Sequence, residues 1–125
     1  MSCLTGEEDG IENRTMKDIE ITEGLKGVVI YAESMDSEHD DWIILVSHVT
    51  PFVGGYQDSF KIHRYVSYNL KNRYSYADTK TGWWGTSNDN YRFYKATEEQ
   101  KKTIIDVLRK NRLKYISVLN KVIKI

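Results

Sequence analysis

The run Trp42 to Val49, WIILVSHV, is the most apolar stretch of the chain. Periodicity alone does not separate a buried strand from a buried helix segment. Its short length and its β-branched residues favour the strand. A strand that is apolar at nearly every position is buried on both faces, so this one is expected at the centre of a sheet.

The flanking segments read as further strands. Lys26 to Glu33, KGVVIYAE, is β-branched and aromatic. Lys17 to Thr22, KDIEIT, alternates and predicts a short strand ended by Glu23-Gly24. Thr50 to Asp58 holds the only proline and the Gly54-Gly55 pair, and predicts a turn or loop. From Phe60 to Leu70 the alternation places Phe60, Ile62, Val66, Tyr68 and Leu70 on one face. Lys61, His63, Tyr65, Ser67 and Asn69 take the other, and Arg64 is a charged intruder among the apolar positions. Arg73 to Ala77 predicts a partner strand with Tyr74 and Tyr76 on one face. Asp78 to Asn90 predicts a loop around Trp83-Trp84, and Tyr91 to Lys95 another strand.

The helix signal is confined to residues 97–111. Thr97 with Gln100 three residues on has capping-box spacing, and Glu98 and Glu99 suit the positive end of the helix dipole. Ile104, Ile105 and Leu108 form the expected apolar stripe. Arg109, Lys110 and Arg112 load the far end, and Asn111 is the expected left-handed stop. Tyr115 to Ile125 reads as strand–turn–strand around Leu119-Asn120-Lys121. The fold class is therefore α+β: an antiparallel, strand-rich sheet or small SH3-like barrel. One C-terminal amphipathic helix covers a face or an end, and a terminal strand or hairpin follows it.

With 125 residues, 40% hydrophobic and 29% charged, the chain suits one modest core. The expected division is an acidic arm over residues 1–16 and a single domain over 17–125. The net charge of zero lacks the long-range pull of a DNA-coating protein. Charge is nevertheless uneven: residues 1–41 are acid-rich and 61–125 base-rich. The single cysteine, Cys3, supports neither an internal disulfide nor a Cys-rich zinc site. No basic and apolar leader opens the chain, and no apolar run approaches the ~20 residues of a membrane helix. A cytoplasmic protein with no membrane partner is the expectation.

The last third resembles the C-terminal part of short uncharacterised proteins of gut bacteria and their phages. The matching residues are Tyr91 and Arg92, the helix start Ala96-Thr97-Glu98-Glu99-Gln100-Lys101, then Leu108, Asn111, Tyr115 and Val122 to Ile125. The chain departs from that pattern at Gln100 and in a tail richer in Ile and Val. The resemblance implies a phage or mobile-element source and no particular chemistry. By analogy it implies an anti-defence role.

Motif chemistry is sparse. MDSEHDD, residues 35–41, offers Asp36, Glu38, His39, Asp40 and Asp41, but it lacks the glycine and distal glutamate of a calcium-binding EF-hand loop. It reads as a solvated acidic turn, with a metal site as the sharper alternative. His39, His48 and His63 lie on three elements without motif spacing, and no nucleophile elbow, phosphate loop or zinc-protease motif occurs. Asp18, Glu20 and Glu23 extend the acidic arm, which serves solubility or mimics nucleic-acid phosphate. No catalytic residue, metal or cofactor is assigned.

Trp83-Trp84 is the sharpest feature, because adjacent residues of an extended chain point opposite ways. One indole is expected in the core and the other in solvent or against a partner. The assigned binding residues are Trp83, Trp84, Asn88, Asn90, Tyr65, Tyr74, Arg73 and Arg92. The expected function is a non-enzymatic, anti-CRISPR-like inhibitor that grips a host protein. One alternative is a nucleotide-signal sponge whose pocket draws on Arg64, Arg73 and Arg92. The other is a weak binder of single-stranded nucleic acid, with Lys61, His63 and Tyr65 beside Tyr74.

Overall fold

A computed structural model describes residues 18–52, 59–87 and 91–125. The expected arm over 1–16, Cys3, Asn88 and Asn90 fall outside the described residues. Five strands form one antiparallel sheet: β1 Val29–Ser34, β2 Trp42–Phe52, β3 Ser59–Asn69, β4 Ser75–Thr86 and β5 Tyr91–Lys95. Their spatial order is β4-β3-β2-β1-β5. Helix α1, Glu98–Lys110, follows, and a hairpin of β6 Leu113–Ile116 and β7 Lys121–Lys124 forms a second small sheet.

β2 is the central strand, and its alternation serves two cores. Ile43 and Leu45 point to the layer made by α1 and the hairpin, where they join Ile104, Val107, Leu108, Leu113 and Val122. Ile44 and Val46 point the other way and meet Ile21, Ile30, Ile62 and Phe93. Because each face of β2 meets its own apolar layer, the run has no polar alternation to display.

α1 is capped by Thr97, whose hydroxyl accepts from Gln100 N while Gln100 Oε1 accepts from Thr97 N. The helix buries Ile104, Val107 and Leu108. Ile105, expected in the stripe, is 48% exposed. At the other end Asn111 is not left-handed, with φ −94°. Its Nδ2 donates to Val107 O, and Arg112 takes the left-handed turn with φ 56°.

Three further expectations are corrected. Residues 19–22 form no strand: Asp18 makes one isolated bridge to Tyr94. Residues 78–86 are not a loop, because β4 continues through both tryptophans to Thr86. The sheet is not a closed barrel: β4 and β5 are its two edges and share no ladder. It curls until Trp84 of β4 packs 5.0 Å from Tyr91 and 6.1 Å from Phe93 of β5, ring centre to ring centre.

The largest departure lies in β3. Register breaks between Arg64 and Val66 against β4, and opposite Leu45 and Val46 on the β2 side, so that Tyr65 is skipped in both ladders. Such a bulge inserts an unpaired residue and reverses the side-chain alternation beyond it. Phe60 and Ile62 therefore pack with the Trp84 core, whereas Val66 and Tyr68 pack with the helix core. The continuous apolar face expected over residues 60–70 does not exist.

Candidate functional site

The curl leaves a cleft of about 450 Å³ on the sheet face away from α1. Its walls are aromatic: Trp42, Tyr74, Tyr76, Trp84 and Tyr91, with Trp83 at the rim. Trp42 stands edge-on to both Trp84, at 6.3 Å, and Tyr74, at 5.6 Å. Edge-to-face packing of this kind holds rings at fixed angles. Ser67, 3% exposed, and His39 add polar groups to the lining.

Arg64 is the cation of the cleft. Alternation puts Arg64 on the face of Phe60 and Ile62, and the bulge that follows turns Val66 and Tyr68 to the other face. Its guanidinium lies 3.9 Å from the centre of the Tyr76 ring, a stacked cation–π arrangement. Nη1 is shielded from solvent and has no hydrogen-bond partner among the described residues. No carboxylate lies within salt-bridge reach of it there. Burial pulls its pKa down, opposed by the Tyr76 hydroxyl and the Asp78 carboxylate, yet a guanidinium keeps its charge at neutral pH. Gly82 makes the room. A Cβ at that position would overlap Arg64 Nη1.

The two tryptophans point apart, and the structure identifies each. Trp84 packs into the core between Trp42 and Tyr91. Trp83 is 58% exposed, with its Nε1 donating to Gly85 O. Lys61 Nζ lies 5.4 Å from the Trp83 ring and 5.6 Å from that of Phe52. His63 sits opposite Trp83 in the ladder and stacks on His48 at 4.3 Å with the rings 2° from parallel.

The remaining assigned residues do not converge. Tyr65 is buried on the helix side, and its hydroxyl donates to Asn120 O. The sheet thus separates Tyr65 from Tyr74, and no single surface presents both. Arg73 lies in the β3–β4 turn with φ 57° and does not line the cleft. Arg92 alternates outward on β5, away from Tyr91. Of the three arginines expected in a ligand pocket, only Arg64 is in one. Sequence reading left Trp42, Tyr76 and Tyr91 out of the site. Their only signal was an aromatic in a strand, which packing explains equally well.

The acidic turn is structural. Asp36 Oδ1 accepts from the amides of Glu38 and His39, and the carboxylate contacts His39 Nδ1 at 2.8 Å. These bonds hold the Asp36 carboxyl below its usual range, the His39 contact first. Asp40 accepts from Asn69 and Asn72. Asp41 accepts from the Tyr31 hydroxyl and Ser34 N. Among the described residues no group of three His, Cys, Asp or Glu is placed to hold a metal ion. Comparison with protein-family models, curated proteins and solved structures gives no significant match, so the reading of the site rests on its own geometry.

Proposed function

We propose that the chain is a non-enzymatic binding protein that takes a flat, anionic small molecule of the nucleotide class into the Trp42–Trp84 cleft. The observation that carries this reading is Arg64: a guanidinium that lines a cleft of aromatic faces and has no salt-bridge partner among the described residues. An anion hydrogen-bonded to a guanidinium gains about 1.5–3 kcal/mol per bond, so a cleft lined by this cation favours one. Aromatic walls supply stacking for a base, and the cleft falls within the ~300–1,000 Å³ usual for small-molecule sites. The groups that face the cleft suit holding a ligand rather than attacking one.

The test is calorimetric titration with linear and cyclic purine and pyrimidine monophosphates. At least one is expected to bind, and Arg64→Met is expected to weaken it about tenfold or more, the worth of one charge-assisted hydrogen bond. Gly82→Ala provides a control that spares the charge. The added methyl meets only the far end of the Arg64 side chain and no backbone. It should displace the guanidinium and weaken binding by a similar factor without lowering the melting temperature. No heat from any nucleotide overturns the reading.

A second reading is favoured by one observation, the exposure of Trp83. In it the chain contacts a host protein as an anti-defence inhibitor. A phage or mobile-element source rests only on the C-terminal resemblance. A Trp83→Ala variant that keeps its fold and every interaction of the wild type would end that reading.

A further inference from the structure

The second surface of interest lies on the opposite side of the sheet, in the β6–β7 hairpin. The register pairs Lys114 with Ile123, Tyr115 with Val122 and Ile116 with Lys121. Tyr115 and Val122 pack inward with Leu113. Lys114, Ile116, Lys121 and Ile123 therefore share the outward face. The turn between the strands carries Val118, 91% exposed, and Leu119, 63% exposed. Ile105, Arg109, Lys114 and Ile125 meet along one shallow groove beside the hairpin.

Beyond Asp106, which is exposed at the helix side, the charge along this part of the chain has one sign. From Val107 to Ile125 the chain holds Arg109, Lys110, Arg112, Lys114, Lys121 and Lys124 and no Asp or Glu. None of these cations forms a salt bridge among the described residues. Scattered exposed aliphatics are ordinary, but two adjacent ones at a hairpin tip, beside strand lysines without a salt bridge among the described residues, are not.

We infer that this hairpin docks on the surface of an anionic lipid bilayer. The Val118-Leu119 turn enters the boundary between headgroups and acyl chains while the flanking lysines and arginines meet lipid phosphates. A nucleic acid would use the cations and leave the aliphatic tip in water. A bilayer uses both. Docking of this kind needs no spanning segment, and no helix among the described residues is long and apolar enough to cross a membrane. The absence of a membrane partner was expected only from the lack of such a segment. The Arg64 cleft faces away from the hairpin and stays open, so the inference is independent of the ligand reading.

The experiment is co-sedimentation of the whole chain with vesicles. Binding is expected to vesicles of phosphatidylglycerol in phosphatidylcholine and not to phosphatidylcholine alone, and it should weaken as salt rises. The double variant Val118→Asp/Leu119→Asp and the double variant Lys114→Glu/Lys121→Glu should each lower the partition coefficient about tenfold or more. No binding to the anionic vesicles at low salt overturns the inference. So does full retention by the Val118→Asp/Leu119→Asp variant, which would mean charge adsorption without insertion. The dependence on vesicle composition is read on the wild type, so the test stands even if a variant fails to fold.

Discussion

Arg64 shows how far one residue can depart from what alternation allows. A cation on the apolar side of a strand is expected to be an error of register or a functional device. Here the bulge at the following residue, the space at Gly82 and the Tyr76 face together hold it. The arginine and its misfit were legible in the sequence. The bulge was not, because nothing in Tyr65-Val66 distinguishes a bulged pair from a regular one. His63 makes a testable statement at the same scale. Burial, then the neighbouring His48 and Lys61, lowers its pKa from the ordinary 6.5. The unfolded chain then binds the proton more readily than the folded one, so stability is full above the unfolded pKa. It declines as pH falls through that value towards the folded one. The melting temperature is expected to drop from pH 7.5 to pH 5.5, and His63→Phe should flatten that slope. An equal slope in the variant would assign the acid sensitivity elsewhere.

At the scale of elements, local signals did well where the chain's own neighbours decide. Thr97 and Gln100 close their capping box at the position that their spacing indicates. β2 is buried on both faces, as its apolar run requires. Tertiary contacts decided the rest. Ile105 lost its place in the stripe to Val107, since the helix meets strands β1 to β4 of the sheet and β6 of the hairpin rather than a flat surface. Trp83 and Trp84 sit in a strand, because pairing with β3 overrides the glycines on either side. The hairpin hangs on Asn120. Its φ of 48° suits asparagine, its Oδ1 accepts from the Tyr115 hydroxyl at 2.8 Å, and its Nδ2 donates to Ser47 O at 2.8 Å. Asn120→Ala removes both bonds and places alanine in the left-handed region. We expect a loss of about 2 kcal/mol in urea unfolding. Asn120→Gly keeps the backbone freedom and should recover part of it. Equal losses in the two variants would locate the whole effect in the side-chain bonds.

For the whole molecule, the question is what holds an open sheet in a curl. The strand order puts β4 and β5 at opposite edges, yet their rings meet. Trp84 makes that seam: it touches Trp42 on the central strand and Tyr91 and Phe93 on the far edge. Hydrogen-bonded closure would hold the edges through the backbone. Here the short chain connection from Thr86 to Tyr91 ties the two edges, and the aromatic seam adds side-chain packing where no ladder joins them. One substitution should therefore act on shape and on binding together. Trp84→Ala is expected to cost about 2 kcal/mol, below the figure for a fully buried tryptophan because the residue is only partly enclosed. Hydrogen exchange should quicken in β5, which pairs on one side with β1 and, among the described residues, on the other with a single bridge at Asp18. The β2–β3 ladder, at the centre, should keep its protection. Nucleotide binding should fall with it, since the wall and the curl are lost at once. If β5 exchanges no faster in the variant than in the wild type, the seam does not hold the edge. The cleft would then be a property of strand twist and the β3 bulge alone.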